Sequence, residues 1–479
     1  DAAIARIERL DPQVNAVVVR DFDRARAAAK ALGGQSPRPD QPLFGVPMTI
    51  KEAFDIEGLP TTWGLEEYSG LIAKRDSAVV RRLKAAGAVF VGKTNVPPLL
   101  ADWQAENPIY GRTHNPHAAD HTPGGSSGGS AAALALGMVA AEYGSDIGGS
   151  IRVPSHFSGT WGHKTTWGLV SSEGHEFPGS DGHDIALGVV GPMARDPDDL
   201  AVLLTLTADR PLTSRPRPVG AWRVLYLGDH PVCPVDNAVA GPVAAAVAAV
   251  EAAGAVVERS SDLIPDLTLQ YNEYMRMLMI AMSKGAPGPE GQRASAADWF
   301  ALMDAQARCQ RTWRRLFERY DFVLAPPAPV VAHPYDTAPI TERMLTINGQ
   351  QVSYGAALAW AGLAPEGATA LRLGGLALTG AAFAAWLWAW LDLRARIWQP
   401  TDAAARLDGL WRSVAVESHA EAHQAQFVGI GNHERTPGSR GEGAVVRAQH
   451  AIRAADVGYR RHHVDGVGLT RIVLEHAVR

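Results

Sequence analysis

Segments with strand character alternate with segments of helical character over roughly the first 364 residues, and this alternation constrains the fold more than any other feature. Phe44–Lys51 and Ala88–Gly92 have the apolar character of buried strands. Between them, Asp76–Ala86 repeats apolar residues at the spacing of an amphipathic helix. Strands that alternate with helices predict an α/β fold.

The same pattern is found on both sides of this central region. Apolar residues recur at helical spacing from Asp1 to Leu32, which predicts one long first helix. Residues 144–192 read as a loop-rich segment. After it, Trp222–Leu227 and Asp321–Ala325 are predicted strands, and Pro242–Ala253 is a predicted helix.

Composition excludes several classes of function. The chain is 46% hydrophobic and 20% charged with a net charge of −5, so we expect no nucleic-acid partner. Two cysteines, Cys233 and Cys309, lie far apart, which indicates neither a disulfide framework nor a thiolate metal site. The start of the sequence shows no signal-peptide pattern, which is a basic segment followed by an apolar one. These features together predict a cytoplasmic protein.

The segment 365–479 lacks the strand and helix rhythm. Its uncharged stretch Leu373–Leu391 has the length of a transmembrane helix, but glycine-rich stretches that end in tryptophan also occur in buried cores, so we do not expect a membrane partner. A third interpretation is a shifted reading frame of a GC-rich gene, because no lysine follows Lys284 and Arg, His and Gly are abundant. We predict that 365–479 is an atypical C-terminal segment.

Two glycine-serine segments carry the main chemical signal. Gly124–Ser130 reads GGSSGGS, which fits a flexible linker. A phosphate-binding loop is the next candidate, but no Gly-Lys-Ser/Thr follows and the Rossmann spacing is absent. In the second segment, GSDIGGSIR, Ser150 follows two glycines at a turn after a strand. Glycine lets a substrate carbonyl approach the backbone N–H groups there, as an oxyanion hole beside its nucleophile requires. The alternative is a tight turn with a solvated serine.

A nucleophilic serine needs a base, and histidine is the usual one. Residues 125–129 also match G-x-S-x-G, which makes Ser127 the nucleophile in an α/β-hydrolase interpretation. The polar, proline-ended residues 118–123 argue against it, because that motif follows a strand directly. The histidines downstream of the first segment that come into question are His156, His163, His175 and His183.

A neutral lysine is the other candidate for the base. Lys51 follows the apolar residues 46–50, so its stem is drawn into the interior, and burial lowers the pKa of an amine. An exposed lysine at the end of a strand is the alternative.

Taken together these segments resemble the amidase signature family. The residues stand in the family's order: GVPMTIKE at 45–52, GKTN at 92–95, GGSSGGS at 124–130, GSDIGGSIR at 144–152, then Pro154, Phe157, Gly159 and WGLV at 167–170. The similarity extends from about Ala2 to Ala364. It implies one large domain, 1–364, with a mixed, twisted central sheet covered by helices on both faces.

The resemblance also implies roles for individual residues. Ser150 is the nucleophile, Ser126 is a bridging serine in cis peptide linkage, and Lys51 is the base. Ile147, Gly148 and Gly149, with the N–H of Ser150, form the oxyanion hole. Supporting roles fall to Gly125, Ser127, Ser145, Asp146 and Arg152. No metal or cofactor is implied.

The implied function is hydrolysis of a carboxamide C–N bond through an acyl-enzyme. The alternatives are an amidase-type subunit of a tRNA-dependent amidotransferase and a catalytically silent family member. Two departures stand out, because Thr165 replaces a common proline and the family's C-terminal strands are not recognisable after Pro365. The partner is a small-molecule amide, and a homodimer is compatible with the sequence. Aromatic residues near the motifs suggest aromatic surfaces around the site: Trp63, Trp103, Tyr110 and Trp167.

Overall fold

The computed structural model describes residues 1–363 apart from 179, 181–183, 185, 213–216, 284–285 and 289–290, together with 375–377. The predictions for 365–479 and for the apolar stretch 373–391 therefore lie outside the described residues, except at 375–377, as does His183. None of the helices in the described part of the chain is long and apolar enough to cross a membrane.

Strands and helices alternate as predicted. The α-helices of the described residues are α1 (Ala2–Leu10), α2 (Phe22–Leu32), α3 (Ala78–Ala85), α4 (Gly128–Ala135), α5 (Arg152–Ser158), α6 (Pro197–Thr207), α7 (Asn237–Ala252), α8 (Leu267–Ser283), α9 (Ala296–Arg319) and α10 (Leu358–Ala361). The strands are β1 (Val17–Arg20), β2 (Pro47–Lys51), β3 (Val89–Thr94), β4 (Glu106–Asn107), β5 (Gly111–Arg112), β6 (Ala141–Asp146), β7 (Trp161–Lys164), β8 (Val189–Ala194), β9 (Arg223–Tyr226), β10 (Val256–Glu258), β11 (Phe322–Leu324), β12 (Met344–Ile347), β13 (Gln350–Ser353) and β14 (Gly375–Ala377).

A mixed sheet of seven strands organises the described residues, in the order β1-β3-β2-β6-β8-β7-β14. β2 is parallel to both β3 and β6, whereas β6–β8, β7–β8, β1–β3 and β7–β14 are antiparallel pairs. A second sheet, β10-β9-β11, is parallel.

Helices cover both faces of the large sheet. Alternate residues of a strand point to opposite faces, so the contacts of neighbouring residues in β3 show which helices lie on each face. In β3, Val89 and Val91 pack in a core cluster with residues of α1 and α4. Phe90, between them, packs in another cluster with residues of α3 and α6. The predicted α/β class is confirmed, and so is the mixed sheet with helices on both faces. The domain boundary at residue 364 stays a prediction.

The single helix predicted for Asp1–Leu32 is wrong. The segment forms α1, a short 3₁₀ turn at Asp11–Gln13, strand β1 and then α2. Pro12 stands at the start of the 3₁₀ turn, where proline interrupts a continuous α-helix. Val17–Arg20 then gains hydrogen bonds as the edge strand beside β3, and β-branched valines suit that position.

The segment 144–192, predicted as loop-rich, contains regular structure as well. It holds α5, β7 and the start of β8. β8 is buried along its whole length and pairs with both β6 and β7. The β6–β8 pairing joins residues 43 to 53 positions apart in sequence, and such long-range partners leave no local periodicity.

Candidate active site

The site forms where two parallel strands end. β2 ends at Lys51, β6 ends at Asp146, and the two strands are parallel neighbours. Because the carboxyl ends of parallel strands lie at the same edge of a sheet, the two ends are adjacent although they are distant in sequence. The turn that precedes α4 brings Ser126 to the same edge.

Lys51 is completely buried at this edge. Its Nζ lies 2.6 Å from Oγ of Ser126 and 2.8 Å from Oγ of Ser145. Burial lowers the pKa of Lys51 from 10.5 to about 7, although the charge of Asp146 acts in the opposite direction. A substantial fraction of the amine is therefore neutral near pH 7, and a neutral amine has a lone pair that can accept a proton.

The GGSSGGS turn has little room for side chains. The peptide bond between Gly125 and Ser126 is cis, and a Cβ at Gly125 would overlap the carbonyl oxygen of Asp102. The N–H of Ser127 donates to the carbonyl of Ser150 at 3.1 Å, which ties the two glycine-serine segments together. Ser126 lies in a closely packed turn beside Lys51 and lines the same pocket as Ser150.

Ser127 does not line the pocket, unlike Ser126 and Ser150. It is fully buried, and its hydroxyl lies 3.4 Å from both the backbone N and O of Ser145. It also stands at the start of α4 with no strand directly before it. These observations argue against the α/β-hydrolase interpretation, in which Ser127 is the nucleophile.

Ser150 lies in the loop after β6 and lines the pocket. Within the described part of the chain, the N–H groups of Ile147, Gly148 and Ser150 have no acceptor. Gly149 has a φ of +95°, a conformation that favours glycine, and its N–H donates to Asp146 at 2.8 Å. Of the backbone donors that the resemblance implies, three are thus available and that of Gly149 is occupied.

Two aromatic side chains hold the carbonyl groups of this loop. The hydroxyl of Tyr274 on α8 donates to the carbonyl of Ile147 at 3.1 Å. Nε1 of Trp103 donates to the carbonyl of Gly148 at 2.8 Å. Since a peptide unit is planar, each bond also sets the direction of the next residue's N–H group. Sequence reasoning missed Tyr274, because no motif surrounds it.

A buried ion pair anchors the same loop. Asp146 and Arg152 are both buried, with a contact of 2.9 Å between Oδ1 and a guanidinium nitrogen. Burial raises the pKa of Asp146, but the charge and hydrogen bonds of Arg152 outweigh it and hold that pKa well below its usual range. Arg152 also donates to the carbonyl of Ala361 at 3.0 Å.

The pocket beside these residues has an empty volume of about 460 Å³, counting the space open to solvent. Most of the other lining side chains are apolar, with Ser172 and His175 as polar exceptions. The lining residues beyond the motifs are Trp63, Leu99, Leu100, Ser172, His175, Phe177, Gly188, Val189, Val190 and Met282.

The structure separates the remaining sequence candidates. Of the described histidines, His175 lines this pocket, while His156 lies 3.0 Å from the carbonyl of Val330 and His163 lies in β7. Of the four aromatic residues, only Trp63 is a lining residue, and Trp167 is 43% exposed. No group of three or more His, Cys, Asp or Glu side chains in the described residues is arranged to hold a metal ion.

Comparison with known proteins places these residues in a family context. The sequence profile of the Amidase family matches residues 1–286, which include Lys51, Ser126 and Ser150. The chain belongs to this amidase signature family.

Two relatives and one solved structure illustrate the similarity. The putative amidase AmiB2 of Mycobacterium tuberculosis is 46% identical over 209 residues, covering 43% of this chain and 44% of that protein. A glutamyl-tRNA(Gln) amidotransferase subunit of Anaeromyxobacter sp. (strain K) is 39% identical over 287 residues, covering 57% and 56%. A bacterial aryl acylamidase structure of the amidase signature family shares the fold, with a TM-score of 0.63, 21% identity and coverage of 82% and 94%. The chain spans about half the length of these two relatives.

Proposed function

We propose that this protein hydrolyses a carboxamide C–N bond through an acyl-enzyme on Ser150. One observation carries the proposal: the buried amine of Lys51, with its pKa lowered to about 7, lies 2.6 Å from the Ser126 hydroxyl in a pocket that Ser150 also lines. A neutral lysine at this distance is a base for a serine hydroxyl. Membership of an amide-hydrolase family supports the same chemistry.

In the first step, Oγ of Ser150 attacks the amide carbonyl carbon. The proton of Ser150 passes to Ser126, and the proton of Ser126 passes to Nζ of Lys51, so that one C–O bond forms and Lys51 becomes charged. The N–H groups of Ile147, Gly148 and Ser150 donate to the oxygen that becomes negative.

In the second step, the C–N bond breaks and the proton returns through Ser126 to the leaving nitrogen, because an amine leaves readily only when protonated. Ammonia or an amine departs, and Ser150 carries the acyl group. Water then attacks the ester carbonyl with Lys51 and Ser126 acting as before. The products are a carboxylic acid, which ionises, and the free Ser150 hydroxyl.

The apolar pocket favours a small, uncharged amide as substrate, since the lining carboxylate of Asp146 is already paired with Arg152. We also propose a cytoplasmic location, to which the free thiols of Cys233 and Cys309 are suited.

The amidotransferase subunit remains the second candidate, because one such subunit is 39% identical over 287 residues. The net charge of −5 argues against a tRNA-binding face. Stable co-purification with a second subunit, together with amide transfer that requires it, favours this candidate. A folded protein that hydrolyses no amide and reacts with no serine probe favours a silent family member.

Labelling with a fluorophosphonate probe tests the nucleophile directly. We expect Ser150→Ala to lose both labelling and turnover across a panel of primary amides, anilides and esters. Ser127→Ala is the matched control, since Ser127 lies outside the pocket, and it should keep at least part of both. Full labelling of Ser150→Ala would contradict the proposal, and complete loss in Ser127→Ala would favour the α/β-hydrolase interpretation.

A further inference from the structure

Glu52 is a buried acidic residue that the proposed reaction does not use. It follows Lys51 directly, and its side chain is fully buried. Its Oε1 accepts the N–H of Thr62 at 2.7 Å, and its Oε2 accepts the N–H of Trp63 at 3.0 Å. The hydroxyl of Tyr110 also donates to Oε1, at 3.3 Å. Acidic side chains are almost never fully buried unless they are paired, so these bonds to the backbone require an explanation.

Lys93 holds the same segment from its other end. It lies near the end of β3, the strand beside β2, and is completely buried. Its Nζ donates to the carbonyl of Pro60 and, at 3.0 Å, to Oγ1 of Thr61. Burial lowers the pKa of Lys93 to about 8, and the charge of Glu52 acts in the opposite direction. Two side chains of opposite charge therefore hold residues 60–63, which we call the clamped segment.

The clamped segment ends in the wall of the pocket that holds Ser150. Trp63 lines this pocket, and its carbonyl accepts the N–H of Leu99 at 2.9 Å. Leu99 and Leu100 line the pocket as well. Leu99 is 36% exposed, so a molecule in the pocket can reach its side chain. Two successive backbone hydrogen bonds thus connect Glu52 to an accessible part of the wall.

The backbone of this wall needs support. Trp63, Leu99 and Leu100 have φ values of 55°, 55° and 57°, in the left-handed region that non-glycine residues seldom adopt. Such conformations cost free energy and persist only where the surroundings enforce them. The bond from Trp63 to Glu52 and the bond from Leu99 to Trp63 fix the backbone on both sides of Trp63. Without the carboxyl group of Glu52, the wall can relax.

We propose that Glu52 is a positioning residue that sets the affinity of the pocket for the apolar part of the substrate. Glu52 does not line the pocket, so it acts through Trp63 and Leu99, and Lys93 supports the same segment. The inference rests on the proposed function, because it takes this pocket as the substrate site. The end of β2 then contributes twice, with Lys51 as the base and Glu52 as the support of the binding wall.

Binding to the Ser150→Ala protein tests the inference without turnover. The probes are hexanamide and benzamide, measured by titration calorimetry. A glutamine at position 52 has one acceptor oxygen, so it cannot pair both backbone N–H groups. We expect Glu52→Gln to weaken the affinity for at least one probe by about 4- to 15-fold, which corresponds to lost contact with one or two CH₂ groups.

Asp11→Asn is the matched control. Asp11 is also a buried acidic residue that accepts two consecutive backbone N–H groups, those of Ala16 at 2.7 Å and Val17 at 3.0 Å. It does not line the pocket. This substitution should leave both affinities within about twofold, as for a distant and independent site. If Glu52→Gln does not fold, Lys93→Met decides the question, because it releases the other end of the clamped segment.

A second substitution shows whether Glu52 acts through the wall. Leu99→Ala removes the accessible side chain of the wall. Since residues that act through one structural unit are not additive, Glu52→Gln should cost less than about twofold in affinity once Leu99 is alanine. With Ser150 intact, Glu52→Gln should raise KM by the same factor as the loss of affinity and leave kcat nearly unchanged.

Several outcomes would overturn the inference. They are that neither probe binds, that Glu52→Gln and Lys93→Met both leave the affinities unchanged, that Asp11→Asn weakens binding as much, that the loss is equally large in the Leu99→Ala background, and that Glu52→Gln lowers kcat at unchanged KM. If the affinities fall as expected but no amide is hydrolysed, the role of Glu52 stands and the proposed function fails. If amides are hydrolysed and Glu52→Gln leaves KM unchanged, the proposed function stands and the role of Glu52 fails.

Discussion

The amine of Lys51 lies 2.6 Å from Oγ of Ser126, and the lysine side chain is completely buried. The two residues are 75 positions apart, and the parallel pairing of β2 with β6 brings their surroundings together. Burial is also what lowers the pKa of Lys51 to about 7. The same structural feature therefore supplies both the position and the protonation state of the proposed base.

The first prediction concerns the pH dependence of hydrolysis. Since the neutral form of Lys51 is the base, kcat/KM should rise with pH through about 7 and then level off. Lys51→Arg keeps a permanent positive charge and should lower kcat/KM by about 10²–10⁴-fold. Initial rates between pH 5 and pH 9 measure both effects.

Lys93 provides the control for this profile. It is a second buried lysine, with its pKa lowered to about 8 by burial, but its Nζ bonds to Thr61 and to the carbonyl of Pro60. Lys93→Met should leave the midpoint of the profile unchanged. If the midpoint moves in Lys93→Met but not in the Lys51 variants, Lys93 and not Lys51 controls the pH dependence, and the prediction is wrong.

The second prediction concerns the cost of burying Lys51. Between pH 7 and 10.5 the unfolded chain binds a proton at Lys51 that the folded chain does not, so this residue makes stability rise with pH across that window. The penalty is complete below about pH 7 and absent above 10.5. It amounts to about 5 kcal/mol at most, and Lys51→Met should remove it.

Urea unfolding at pH 6, 8 and 10 measures this effect. The difference in free energy of unfolding between Lys51→Met and the unchanged protein should favour the variant at pH 6 and shrink as the pH rises. A difference that is constant with pH would show that the pKa of Lys51 is not lowered in the folded state.

The third prediction concerns the Asp146–Arg152 pair. Asp146→Asn leaves the guanidinium buried without its counter-charge, which should cost about 3–5 kcal/mol of stability. Asp40→Asn is the control, because the Arg38–Asp40 pair has a similar distance, 3.0 Å, but is exposed. Its midpoint of unfolding should hardly change. Equal effects of the two substitutions would refute an anchoring role for Asp146.

The fourth prediction concerns Tyr274 as a positioning residue. Its bond to the carbonyl of Ile147 sets the plane of the peptide whose N–H belongs to Gly148. Tyr274→Phe should therefore lower kcat by about tenfold with little change in KM, less than the loss of a whole oxyanion donor. Tyr271→Phe is the control, since Tyr271 lies on the same helix and donates to Gly355 instead. A change in KM alone would indicate a role in substrate binding.

The fifth prediction compares two buried tryptophans in the protein without ligand. Trp63→Phe and Trp222→Phe remove the same volume, but only the second breaks a hydrogen bond, which joins Nε1 to the carbonyl of Arg217 at 3.0 Å. Trp222→Phe should be the more destabilising by about 1 kcal/mol. Urea unfolding measures the difference, and a larger loss in Trp63→Phe would indicate that its indole N–H has a partner within the protein.

Local patterns in the sequence were sufficient for the fold class. The spacing of apolar residues follows from the geometry of a single strand or a single helix. Phe44–Lys51 is therefore recognisable as a strand, and Asp76–Ala86 as a helix, from the local sequence alone. The order of the glycine-serine motifs likewise indicated which serines and which lysine to examine. Roles for these residues came mainly from the resemblance, and they remain proposals.

Features that depend on long-range contacts had no such signature. The break of the predicted helix Asp1–Leu32 depends on pairing of Val17–Arg20 with β3. Three features depend on segments that are far apart in the chain. They are the burial of Lys51, the hydrogen bond from Tyr274 to the carbonyl of Ile147, and the ring contact of Trp63 with His175. Sequence patterning reports which residues prefer the interior, whereas desolvation and hydrogen-bond partners arise only when distant segments pack.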